Sequence, residues 1–358
     1  MSHRSWVALP LVVLAGSTGC SGGNTADPGD GGATSEAAST GDSGSPAVGH
    51  QVTLLASLGG PTYSFSIDAT SAYALLEDET GNGGTTVLKV PLSGGTPVTL
   101  ASDAQYGEGI AVSGTTLYWV DPSGPPLDGS SGADGLVMSV PIGGGPSATV
   151  ASDQGLPETI AVDSTGIYWV NANQCQQVQC SGAVGAVMML PPGATTPVVL
   201  ASVPASPQTL ALDGTSVYWG TSDGRVMTVP KSGGTVTTLA YYEASVGSLV
   251  VAATDVYWTT GGGDIMKTPI GGGASTAVVV GLNSIQGLAL DSTSLYWLEY
   301  EEDSSSNVNQ SSVKKMALGS GVPTTLWAGS DNPSALQVDG TSVYFTTDSG
   351  ALMKLSPK

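Results

Sequence analysis

The sequence has almost no histidine: one residue at position 3 and one at position 50 in a chain of 358. A Ser-His-Asp or Cys-His arrangement therefore cannot be assembled in the body of the chain, nor can a histidine-based metal cage or proton shuttle. Basic residues are scarce too, with nine Lys and Arg against 29 Asp and Glu and a net charge of −20. Such a surface repels nucleic acid and anionic lipid headgroups, which leaves cations and basic partners. Charged residues make up only 11% of the chain, and long amphipathic helices are absent. What is abundant is turn chemistry, with 51 Gly and 22 Pro, the balance of a turn-rich extracellular β protein.

Cysteine is limited to positions 20, 175 and 180. His3 and Arg4 precede an apolar run from Trp6 to Ala15, too short to span a bilayer and of the length of a signal peptide's apolar core. The run ends in Ser17-Thr18-Gly19-Cys20, which resembles a bacterial lipoprotein signal. Small Thr18 and Gly19 fit that pattern, and Ser17 stands where the family usually has leucine. The resemblance implies a cleaved segment 1–19 and a lipidated Cys20. Because Ser21 rather than Asp follows, it also implies delivery to the outer membrane in a didermic bacterium. The alternative is simple secretion with cleavage nearby. Cysteine arithmetic sides with the lipid, since Cys175 and Cys180 can pair and leave Cys20 odd. So short a disulfide loop adds less than roughly 3 kcal/mol and implies an oxidising compartment. Residues 20–49 are Gly, Ser, Ala, Thr and Asp with almost nothing large and apolar, the composition of a flexible tether.

From residue 50 to 358 the chain repeats. Tyr73, Tyr118, Tyr168, Tyr218, Tyr257, Tyr296 and Tyr344 recur at spacings of 45, 50, 50, 39, 39 and 48 residues, a period that marks propellers or solenoids. Before each tyrosine lies a short apolar stretch such as Thr159-Ile160-Ala161-Val162, the expected innermost strand. A tight Asp/Gly/Thr/Ser turn leads into the second strand, Val217-Tyr218-Trp219 in one copy. A third strand such as Arg225 to Pro230 ends in proline before a Gly-Gly turn, and a fourth such as Val98 to Ser102 completes the unit. The last copy lacks a fourth strand, while Gln51 to Ser57 has that signature and no unit of its own. The expected fold is all-β: a seven-bladed β-propeller of four-stranded antiparallel blades, its ring closed by the N-terminal strand pairing with the C-terminal blade, which removes an open edge. A monomer is expected.

Tyr118-Trp119-Val120-Asp121 resembles the Tyr-Trp-Thr-Asp repeat of low-density-lipoprotein-receptor-type propellers, although the fourth position drifts to Asn171, Thr221, Thr260 and Glu299 and that family has six blades. The resemblance implies architecture and lends no function. Streptogramin-type lyases resemble the chain in blade number, but their histidine-dependent chemistry has no counterpart here. The aromatic pairs are expected to be blade-to-blade core. The Gly-Gly-Gly runs lack any following Gly-Lys-Ser or Gly-Lys-Thr and read as turns.

Function is expected on the face where the second strand turns to the third and the fourth leads to the next first strand. The longest insertions lie there: Glu77 to Gly84, Asp121 to Gly135, Asn171 to Gly185 and Glu299 to Ser312. They carry Glu77, Asp78, Glu79, Asp121, Asp128, Asp134, Glu299, Glu301, Glu302 and Asp303 with little basic compensation. Equivalent positions of the first strands give a ring at that mouth: Tyr63, Glu108, Glu158, Gln208, Gly247, Gln286 and Ser334. Glu108 and Glu158 adjoin in it and could hold Ca²⁺ with carbonyls and water; the alternative is two hydrated carboxylates. The opposite ring, Asp68, Asp163, Asp213, Asp291 and Asp339, is expected to serve tight turns. No other cofactor is expected. The leading functional expectation is a non-enzymatic surface scaffold binding a protein, peptide or glycan. The runner-up is a carboxylate-dependent hydrolase or lyase acting on an extracellular carbohydrate.

Overall fold

The computed structural model describes residues 45–46, 49–62, 64–77, 84–104, 107–122, 135–172, 185–303, 308–319 and 321–358. The chain divides into two units, Met1–Ser39 and Thr40–Lys358, and every strand below belongs to the second. The segment expected to be a signal peptide, Cys20, Tyr63, Asp78, Glu79, Asp128, Asp134, Cys175 and Cys180 lie outside the described residues.

Thr40–Lys358 is all β, built as seven antiparallel sheets whose strands follow chain order from the axis outwards. Blade 3 is typical: Pro157–Asp163, Gly166–Asn171, Gly185–Leu190 and Val198–Val203. Each innermost strand contacts the innermost strand of the next blade, and the seventh, Pro333–Val338, contacts the first, Phe65–Ile67. The ring closes as the two terminal deficits require. Gln51–Ser57 pairs antiparallel with Ala351–Ser356, from Gln51↔Ser356 to Ser57↔Ala351. Across the same seam the hydroxyls of Ser334 and Thr346 both donate to Thr62 O at 2.9 Å, and Gln337 Nε2 donates to Phe65 O at 3.1 Å.

The alternation of the second strand explains the core. Trp119, Trp169, Trp219, Trp258 and Trp297 are fully buried, each against the preceding blade, as Trp169 is with Val120 and Val137. The tyrosine one residue earlier turns the other way, so Tyr168 packs with Val217 and Trp219 of blade 4. Each such side chain removes about 150–250 Å² from water, and the repeat makes every blade face both donor and acceptor of this packing.

Two details depart from expectation. Ser45 and Pro46, within the expected tether, form a short strand that pairs with Ala328 and Trp327 and gives blade 6 a fifth member. The insertion between Glu299 and Ser312 is less a loop than a ladder: Ser294–Asp303 and Val308–Ala317 stay paired out to Asp303↔Val308. Three residues beyond the blade, at about 3.3 Å each, carry it roughly 10 Å further on the mouth side.

Candidate functional site at the mouth of the ring

In register, the residues opposite the repeat tyrosines are Ala111, Ala161, Ala211, Val250, Ala289 and Gln337 in blades 2 to 7. Three residues before each comes the expected mouth ring, and there the ladder breaks. In blade 3, Pro157 pairs with Asn171 and Thr159 with Val170, which leaves Glu158 as an extra residue between them. The same break falls at Gln208, between Val246 and Leu249 at Gly247, at Gln286 and at Ser334. In blade 2 the Glu108 N–H donates to Val120 O at 3.1 Å while the Val120 N–H donates to Gly109 O at 3.0 Å, again two residues against one. A bulge of this kind takes a residue out of the pleat and re-aims its side chain. Glu108, Gln208, Gly247 and Gln286 are exposed, and Glu158 and Ser334 half-buried.

Glu158 differs from the rest. Among the described residues its carboxyl meets no hydrogen-bond donor and no cation. Burial, reinforced by the like charge of Glu108, pushes its pKa up to about 8. At neutral pH it is a predominantly protonated acid beside a second carboxyl. Among the described residues no three His, Cys, Asp or Glu side chains converge in a metal-binding group, so Ca²⁺ here would rely on two carboxylates plus carbonyls and water.

Other expected mouth residues are placed differently. Asp121 is 2% and Glu299 7% exposed, so neither is displayed on the surface of this face. In blades 4, 5 and 7 the equivalent position is a threonine, and Thr221, Thr260 and Thr347 use their hydroxyls to accept the N–H of Arg225, Asp264 and Ala351 across a short hairpin. Glu299 lies within the extended ladder opposite Ser312 and is held beside Lys314 at 3.7 Å. Glu301, Glu302 and Asp303 lie on the projecting ladder of blade 6.

The opposite ring is more than a set of turns. Asp213 Oδ1 accepts the N–H groups of Thr215 and Ser216, both at 2.7 Å, and its Oδ2 accepts the hydroxyl of Tyr218 at 2.7 Å. Asp68, Asp291 and Asp339 repeat this with Tyr73, Tyr296 and Tyr344. Burial opposes ionisation of these carboxyls, but the donated hydrogen bonds outweigh it and hold them below the usual aspartate range, while burial and Asp213 push Tyr218 up to about 12. Lys89, Lys231, Lys267, Lys315, Lys354 and Lys358 lie over the rings of the repeat tyrosines Tyr73, Tyr168, Tyr257, Tyr296 and Tyr344, 5.5 to 5.9 Å from a centroid. Lysine is thereby gathered to the turn end. At the mouth end the described basic groups are Arg225, paired with Asp223 at 2.8 Å, and Lys314. Among the described residues, the scarce positive charge of the composition is thereby concentrated at the end of the ring away from the mouth. Sequence reasoning missed this segregation and the Asp-to-Tyr bond; the fixed five-residue Asp–Tyr spacing in five copies was the available signal.

These features define the class as a seven-bladed propeller with its distinctive chemistry at one mouth. No family model matches the chain, and no curated protein matches it. Solved structures share the fold. A catalytically inactive virginiamycin B lyase from Staphylococcus aureus with quinupristin, a histidine-to-alanine variant, superposes at TM-score 0.63 and 11% identity, covering 86% of this chain and 98% of that one. YCF48 bound to D1 peptide gives 0.61 and 11%, covering 86% and 97%. The WD40 propeller domain of Doa1 gives 0.61 and 10%, also covering 86% and 97%. At such identities the likeness is one of fold alone.

Proposed function

We propose that this protein is a non-enzymatic binding scaffold, displayed outside a bacterial cell on a lipid anchor at Cys20, that takes a basic peptide or protein segment at the mouth of its ring. The observation that carries the reading is Glu158: a half-buried carboxyl that meets neither donor nor cation among the described residues, set beside Glu108. Leaving such a group unpaired costs stability, and a partner's ammonium or guanidinium would supply what the chain withholds. The propeller that binds D1 peptide is a precedent for the fold, and the lyase inactivated by replacing a histidine is a contrast, because the only histidine in this ring is His50, whose Nδ1 contacts Pro357 O at 2.6 Å on the closing strand. A fluorescent deca-lysine peptide should bind the native protein and weaken with salt. Glu108→Gln with Glu158→Gln should cost at least tenfold in affinity, and unchanged affinity in the double variant would refute the assignment.

One observation favours a second reading, carboxylate-dependent cleavage of an extracellular carbohydrate: Glu158 is protonated at neutral pH, as a general acid must be. Oligosaccharide turnover that disappears in Glu158→Gln would select it over the scaffold.

A further inference from the structure

The irregularities of the molecule converge on one connection, the step from blade 2 to blade 3. Asp153 and Leu156 are the only non-glycine residues with positive φ among the described residues, at 58° and 54°, and both lie in the four residues that precede Pro157. Side chains with a Cβ rarely hold that conformation without being held there. Between them stands Gln154, 8% exposed, at the end of the outer strand of blade 2. Its Oε1 accepts the indole N–H of Trp169 at 3.0 Å and Nδ2–H of Asn171 at 3.1 Å, and its Nε2 donates to Ser152 O at 2.6 Å. Its own carbonyl accepts the Leu156 N–H at 3.1 Å, and Leu156 O accepts the Ala172 N–H at 2.9 Å.

The partners are telling. Asn171 is the register partner of Pro157 and Trp169 that of Ile160, so Gln154 grips the two second-strand side chains that bracket the bulge at Glu158. In blades 2, 4, 5 and 6 the equivalent indole N–H of Trp119, Trp219, Trp258 and Trp297 is buried and has no partner among the described residues; blade 3 has one. Two glycines of blade 2 let this segment approach. A Cβ on Gly135 would lie 2.3 Å from Pro157 Cδ and 2.5 Å from Gln154 O, and one on Gly109 would lie 2.9 Å from Thr159 Cα. Blade 2, which carries Glu108, is thus hollowed where blade 3 delivers Glu158.

We infer that Gln154 is the positioning residue of the mouth: it fixes the left-handed course of Asp153–Leu156 across the blade 2–blade 3 seam and so sets Glu158 beside Glu108. The functional weight of this rests on the mouth being the ligand site, but the positioning itself is tested separately. The chain is labelled with [¹³Cδ]-glutamate, Glu158 is assigned by loss of its signal in Glu158→Gln, and its titration is followed in the native protein, in Gln154→Leu and in Trp169→Phe.

Removal of the Gln154 amide should let the segment relax into solvent and lower the proton affinity of Glu158 at least tenfold, with far-UV circular dichroism unchanged. Trp169→Phe, which deletes one of the two bonds to Oε1, should give a smaller shift in the same direction and serves alone if Gln154→Leu fails to fold. A Glu158 titration identical in every folded variant overturns the inference. The same samples are titrated with deca-lysine: failure of the native protein to bind it would sink the scaffold reading while leaving the role of Gln154 to be decided by the titration.

Discussion

A carboxyl held protonated by burial is a liability that grows with pH, and Glu158 makes this measurable. Its folded-state pKa is raised from 4.5 to about 8, whereas in the unfolded chain it titrates as an ordinary glutamate. Below about pH 4 both states carry the proton and the group is neutral to stability. As pH rises, the unfolded chain releases its proton first, so the folded state loses ground until the folded carboxyl also ionises near pH 8. Each tenfold difference in proton affinity is worth about 1.4 kcal/mol, so the penalty at pH 9 approaches roughly 5 kcal/mol, and about 2–4 kcal/mol once partial solvent access is allowed for. Glu158→Gln keeps the shape and cannot ionise. Guanidinium unfolding of both proteins at pH 4, 7 and 9 should therefore give equal stabilities at pH 4 and a variant that is progressively more stable at pH 7 and 9. A difference that is the same at all three values, or that favours the native protein at pH 9, would refute the desolvated carboxyl.

The unpartnered indoles make a second test. Trp219→Phe removes a buried donor that has no partner among the described residues and should cost only the packing lost with the larger ring, about 1–2 kcal/mol, whereas Trp169→Phe also strips Gln154 of a hydrogen bond and should cost about 1–2 kcal/mol more, both read from denaturant midpoints. Blade 7 already carries Phe345 at this place. Lys358 is bound to Asp291 at 2.6 Å and to Asp339 O, a clasp between blades 6 and 7 that Lys231 repeats between blades 3 and 4 through Asp163 and Asp213 O. Lys358→Ala should cost roughly 1–3 kcal/mol and speed hydrogen exchange in Pro333–Val338 and Gln51–Ser57 ahead of the other blades; uniform acceleration would argue against a local clasp. Tyr218, whose folded pKa is near 12, lends stability that is complete below about pH 10 and lost as pH rises to 12. Tyr218→Phe should flatten that part of the alkaline unfolding curve.

The architecture was legible because a propeller writes its period into the chain. One tyrosine per blade counts the blades, and the orphan strand at Gln51–Ser57 with the short last blade dictates closure. The mouth was only half legible. Counting back from the first strand found Glu108 and Glu158, since equivalent positions must meet around a ring, but the bulge that takes these ring positions out of the pleat depends on the paired strand and leaves no local pattern. Asp121 and Glu299 read as displayed because a carboxylate beside a long insertion looks exposed in sequence, and only the fold shows both side chains buried. Gln154 carries no signal at all in a linear reading, because its partners Trp169 and Asn171 belong to the next blade.

The claim that the mouth is the ligand surface is tested most directly by hydrogen exchange of the whole chain with and without deca-lysine. Slowed exchange at the starts of the first strands of blades 2 and 3, around Glu108 and Glu158, with none at the Asp–Tyr turns of the opposite face, is the expected result. Protection at those turns or along the outer strands, with the mouth unchanged, would contradict it.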